Sequence, residues 1–238
     1  MAAIFVGGTG IFRFLFFLIL SGKPVYLAKA SIMEWYEEEI QRVEQEINRL
    51  DYYPHMLFYG SSSIRLWENL YTDFKPFYPV NLGFGGSTLE ACVIFFQRIM
   101  EPYNPRHLII YAGDNDLGDG KKPAEVHDFF IQLCESINEC FGKVPLSYIS
   151  IKPSLHRWQI NDAIQYTNLL IQQTITRHIN HMHFVDVYSG MIGNDGLPLQ
   201  KLYADDGLHL SNEGYALWKN ILLTHISSNN DSSLISVS

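Results

Sequence analysis

The chain has 238 residues, 47% of them hydrophobic and 18% charged. That is a globular composition, long enough for one core that removes roughly 70% of the unfolded chain's surface from water, and it excludes a disordered or fibrous protein. Seventeen Lys and Arg against twenty-five Asp and Glu leave a formal charge of -8, the wrong sign for neutralising phosphates over a broad surface, so nucleic acid is not an expected partner.

Residues 1–30 stand apart from the rest of the chain. Phe14 to Leu20 is an unbroken apolar run flanked by Arg13 and Lys23 and followed by Ala28-Lys29-Ala30. The run is too short to span a bilayer, and the small-x-small pattern after it fits a secretory signal. Two readings stand: a leader that sends the protein out of the cytoplasm, or a stretch ahead of a start at Met33. The Gly7-Gly8-Thr9-Gly10 run lacks the spacing and the downstream acid of a dinucleotide loop. From Ser31 the pattern becomes helical. Ser31 and Glu34 fit a capping box, and Ile32, Trp35, Ile40, Val43, Ile47 and Leu50 recur near a 3.6-residue period.

Short apolar runs come next at 56–59, 78–82, 108–111, 146–151 and 184–187, each the length of a buried strand. Helical spacing fills the intervals at 64–70, 89–99, 123–141 and 160–179, and a last helix is expected over 212–226. Strands alternating with helices require right-handed crossovers, and these give a parallel sheet covered on both faces. The Ser- and Asn-rich stretch 227–238 reads as a flexible tail, so residues 31–226 are expected to form one domain. Cys92, Cys134 and Cys140 are odd in number and lack CxxC spacing, so they read as small core hydrophobes.

Four segments carry residues suited to chemistry. In Gly60-Ser61-Ser62-Ser63 a strand ends in glycine and runs into serines that open a helix, where backbone N–H groups and the helix dipole favour developing negative charge. Simple helix capping is the competing reading. Asn81-Leu82-Gly83-Phe84-Gly85-Gly86-Ser87 puts a glycine cluster between a strand and a helix, where backbone can approach a ligand closely or merely turn. In Gly113-Asp114-Asn115-Asp116, Asn115 could aim an amide donor into a cleft. A calcium loop starting at Asp114 fails because Gly118 and Asp119 stand where a ligand and the turn glycine are needed. Finally, Asp206 and His209 are three residues apart, close enough for the carboxylate to hold the imidazole tautomer that takes a proton from a hydroxyl.

All four segments come after strands, and ligands of doubly wound sheets bind outside the strands' carboxyl ends. The order Ser, Gly, Asn, Asp, His in these blocks resembles the SGNH hydrolase superfamily, the GDSL-type esterases and lipases. With the alternation above, the resemblance implies a three-layer α/β/α fold with a doubly wound, five-stranded parallel sheet of flavodoxin-like order. It implies Ser62 as nucleophile, the Ser62 and Gly86 amides and the Asn115 side chain as oxyanion donors, and His209 as base oriented by Asp206. A metal or cofactor is not implied. One position departs from the family: Gly60-Ser61-Ser62 replaces Gly-Asp-Ser. A serine hydroxyl bonded to nearby backbone is expected to preserve the turn.

Lys152 and Tyr203 fall at the same sheet edge and are candidate substrate contacts. Trp67, Phe84, Tyr111 and Trp158 could line a pocket, although core packing is the commoner fate of such residues. His178, His181 and His183 could ligate a metal, but no carboxylate or cysteine sits beside them at useful spacing. The expected activity is hydrolysis of a carboxylic ester, with a short acyl group or an acetylated carbohydrate or lipid as the small-molecule substrate. An acyltransferase on the same site and a non-catalytic binder on the same fold are the alternatives.

Overall fold

The apolar runs become five parallel strands: β1 (Met56–Gly60), β2 (Pro79–Gly83), β3 (His107–Tyr111), β4 (Leu146–Ile149) and β5 (Met182–Val185). The computed structural model describes residues 23–178 and 181–228, with side chains for 34–177 and 181–228. The sheet order is β2-β1-β3-β4-β5, and every neighbouring pair is parallel. This is the flavodoxin-like order, whose direction reverses between β1 and β3 and opens a crevice at their carboxyl ends. Strands β1 to β4 are buried at every position, which explains why they read as unbroken apolar runs and not as alternating ones. The expected fifth strand lay two residues too late. Hydrogen bonds from the Val187 and Tyr188 amides to Ser150 Oγ, at 3.0 and 3.1 Å, take the chain out of the ladder.

Among the described residues the helices are α1 (Lys23–Glu44), α2 (Ser62–Arg65), α3 (Leu70–Asp73), α4 (Leu89–Met100), α5 (Asp114–Gly118), α6 (Pro123–Phe141), α7 (Asn161–His178) and α8 (Asn212–Ser228). Chain contacts divide the protein into Met1–Glu38, of which the described part is the start of α1, and Glu39–Ser238, which carries the sheet. Alternation along each strand builds two cores in this second unit. On one face Phe58, Trp67, Phe74, Tyr111 and Trp218 join β1 and β3 to α3 and α8, with Trp67 meeting Trp218 at a centroid distance of 6.2 Å. On the other, Tyr59 packs on Phe96 of α4 and Tyr148 on Phe130 of α6.

Helix α1 begins at Lys23, so Ser31 and Glu34 lie inside it and do not cap it. Pro24 suits a first turn, and Leu27 to Ala30 are good helix formers that carry the helix upstream of the expected start. The apolar run 14–20 and the glycines at 7–10 lie outside the described residues, as do 229–238. No helix among the described residues is long and apolar enough to cross a membrane. The helix expected at 64–70 is split into α2 and α3. Between them Trp67 enters the core with its indole N–H on Asp73 Oδ2 at 2.9 Å, a tertiary demand that overrides helical periodicity. The cysteines are all free, but only Cys92 and Cys134 are buried. Cys140 is exposed, which corrects its reading as a core residue.

Candidate active site

At the end of β1 the chain turns sharply, and the turn depends on glycine. Gly60 has φ +135°, and a Cβ there would lie 1.9 Å from the Tyr111 carbonyl oxygen of β3. No side chain fits. Gly83, at the same level of β2, would place a Cβ 2.4 Å from the Arg65 amide, so β1 meets β3, and β2 meets α2, backbone to backbone. The Ser61 amide donates to the Tyr111 carbonyl at 2.8 Å, and the Ile64 and Arg65 amides return to the Ser61 carbonyl. The Ser61 hydroxyl is buried and has no hydrogen-bond partner, so the expectation that it would support the turn is corrected: backbone alone holds it. Ser62 is the next residue and the first of α2. That helix is only four residues long, so Ser62 gains an N–H donor there and little macrodipole, which needs many aligned peptides.

Across the cleft, the connection from β5 to α8 supplies the other half. His209 Nε2 lies 3.2 Å from Ser62 Oγ, and His209 Nδ1 lies 2.6 Å from Asp206 Oδ2. The other carboxylate oxygen, Oδ1, accepts from the Leu208 and His209 amides, both at 2.9 Å. The hydrogen bond to His209, with the two amides helping and slight burial opposing, holds the Asp206 carboxyl at about 2. An ionised carboxylate on Nδ1 favours the tautomer with a proton there and a lone pair on Nε2, facing the serine hydroxyl. Ser62, His209 and Asp206 therefore form a continuous hydrogen-bonded relay across 147 positions of sequence.

The glycine loop after β2 and helix α5 after β3 close the third side. The Phe84 amide donates to the Gly60 carbonyl at 2.9 Å, which seats the loop against the end of β1. Asn115 Nδ2 donates to the Ser87 carbonyl at 3.0 Å, and Asn115 Oδ1 accepts from Arg157 Nη2 at 3.1 Å. Arginine only donates, so it fixes the amide with oxygen outward and nitrogen toward the loop, where the second N–H can serve a ligand. Arg157 Nη1 also donates to the Asp114 carbonyl at 2.8 Å. The sequence alone did not point to Arg157, because it comes after β4 without a motif and acts on a helix more than forty positions away.

Lys152 and Tyr203 are not on the open cleft. Lys152 is 2% exposed, and its ammonium group donates to Asp114 Oδ2 at 3.1 Å and to the Tyr111 hydroxyl at 3.3 Å. Tyr203 is buried with its hydroxyl on the Pro153 carbonyl at 2.8 Å. Both support the cleft from beneath, and their reading as substrate contacts is corrected: desolvation and internal partners leave neither a face toward a ligand. Burial opposes ionisation of Asp114, yet Lys152 and Arg157 hold its carboxyl below the ordinary range. Asp116 differs. Burial pushes it up to about 6, even though Oδ2 accepts from the Leu89 amide at 2.7 Å. Trp67, Phe84 and Tyr111 are core residues. Among the described residues no group of three His, Cys, Asp or Glu could hold a metal ion, and His183 instead stacks edge-on with His225 at 5.2 Å.

A family described as GDSL-like Lipase/Acylhydrolase matches residues 31–217. The chain belongs to that family. It is thus a hydrolase, with a small molecule as the expected class of substrate. Solved structures agree on the fold. A GDSL-like lipase from Bacteroides thetaiotaomicron is 21% identical with a TM-score of 0.64, over 82% of this chain and 97% of its own. A Bacteroides fragilis protein described as an acylhydrolase is 23% identical with a TM-score of 0.67, over 79% of this chain and 96% of its own. The lipase/acylhydrolase from Enterococcus faecalis is 17% identical with a TM-score of 0.61, over 74% and 96%. No curated protein is significantly similar in sequence.

Proposed function

We propose that this family member is a serine carboxylic ester hydrolase acting through an acyl-enzyme on Ser62. The observation that carries the reading is the relay from Asp206 through His209 to the Ser62 hydroxyl, 2.6 and 3.2 Å long. In this mechanism His209 Nε2 takes the Ser62 proton as Oγ attacks the ester carbonyl, and Asp206 stabilises the imidazolium that forms. The Ser62 and Gly86 amides and the second N–H of Asn115 receive the oxyanion of the tetrahedral intermediate. On its collapse His209 protonates the departing alcohol. Water then attacks the acyl-enzyme by the same route in reverse, releasing the acid and restoring Ser62.

A fluorophosphonate probe with peptide mapping tests this directly. Covalent label on Ser62, lost in Ser62→Ala, is the expected result, alongside turnover of short-chain aryl esters or acetylated sugars. A folded wild-type protein that takes no label is a binder and not an esterase.

A further inference from the structure

The oxyanion loop is gripped from outside the cleft by a residue that the family motifs do not include. Glu39, on the last turns of α1, accepts from the Gly85 amide at 3.0 Å through Oε2. The same oxygen lies 3.0 Å from Arg65 Nε and 3.3 Å from Arg42 Nη2. Arg42 Nη2 in turn donates to the Gly83 carbonyl at 2.6 Å. One carboxylate oxygen therefore joins the glycine loop to α2, whose first residue is Ser62. Burial opposes its ionisation, yet the Gly85 amide and the two arginines hold the carboxyl below its ordinary range.

Rigidity is what this loop would otherwise lack. Two adjacent glycines have wide backbone freedom, and holding them in one conformation costs more entropy than holding other residues. The Phe84 amide is tied to Gly60 and the Gly85 amide to Glu39, while the Ser87 carbonyl is tied to Asn115. The Gly86 peptide lies between these anchors.

We propose that Glu39 is a positioning residue, one that registers the Gly86 N–H against the Ser62 hydroxyl by clamping Gly85 to α2. This rests on the esterase reading above. Two conservative variants separate reach from charge. Glu39→Gln keeps an acceptor oxygen at the same distance, so its kcat on p-nitrophenyl acetate stays within about threefold of wild type. Glu39→Asp keeps the charge facing both arginines but withdraws the acceptor by one methylene. Its kcat falls about tenfold or more at unchanged KM, because small misplacement of catalytic groups is costly. Amide hydrogen exchange at Gly85 to Ser87 accelerates in the Asp variant alone. The opposite ranking, with Asp active and Gln impaired, means that ion pairing is what matters and overturns the clamp. Should the wild type turn over no ester, the esterase reading fails by itself. Exchange then decides the clamp, and unchanged protection in Glu39→Asp ends it.

Discussion

The two sides of the cleft are held by different physics. Asp206 and His209 sit three residues apart on one turn, with side chains 49% and 34% exposed, and Asp206 bonds amides of that same turn. The opposite side draws on β1, β2, β3, α5 and the chain after β4. Its innermost ion pair is nearly dry: the Lys152 side chain is 1% exposed and that of Asp114 7%. Exposed ion pairs contribute little to stability, whereas breaking a buried pair strands a charge out of water. The difference separates reactivity from stability. The proposed base sits on a locally built turn, and the proposed oxyanion side is part of the fold.

The sharpest way to break this contrast is to cut each side. On the esterase reading, His209→Ala should lower kcat by about a millionfold with an unchanged melting temperature, the loss expected when the base of such a relay is removed. Asn115→Ala should cost about 100- to 1,000-fold, and it should also loosen the loop, because Ser87 and Arg157 lose their partner. Steady-state kinetics beside thermal unfolding checks both, and an equal loss of stability in the two variants would erase the distinction. Lys152→Met should destabilise the protein by about 3 kcal/mol in urea unfolding, the low end of the range for a broken buried pair because Arg157 remains 3.6 Å from Asp114. An unchanged urea midpoint would show the pair to be energetically idle.

A third region sharpens the comparison from the amino ends of the strands. His107 opens β3 and His183 lies in the first half of β5, with His225 of α8 against His183. Burial, then His183 and His107, lower His225 to about 4. Its folded value lies below the ordinary histidine value near 6.5, so the folded state favours the neutral ring. That contribution to stability is complete above pH 6.5 and is lost as pH falls from 6.5 toward 4. Thermal unfolding across this window should show the decline, and His225→Phe should flatten it. The smallest effect is expected at Ser61. Removing a buried hydroxyl that bonds nothing should leave Ser61→Ala within about 1 kcal/mol of wild type, with full labelling of Ser62.

The elements that sequence made legible are those whose signal is local. Apolar runs marked the buried strands, and Pro123 to Phe141 came out with the bounds of α6, because their burial is continuous or periodic. Asp206 with His209 was legible because three residues suffice to bring the pair together. What escaped depends on distant partners. Arg157 and Glu39 carry no spacing signal, and their roles exist only once β4 and α1 are laid beside the cleft. Lys152 was visible as a residue at the right edge, but its direction was not. A lysine after a strand reads as an outward cation until Asp114 and the Tyr111 hydroxyl turn it inward.

The confinement of Asp206 and His209 to one short turn has an evolutionary reading. Tyr203 pairs with Leu210 in an antiparallel bridge around them, and the Gly207 carbonyl inside the turn accepts from the His156 amide at 3.1 Å, so backbone pins the turn at its ends and at its middle. A change of the Asp206 and His209 side chains alone would therefore leave that backbone frame in place opposite Ser62, so the proposed chemistry can be lost without loss of the fold.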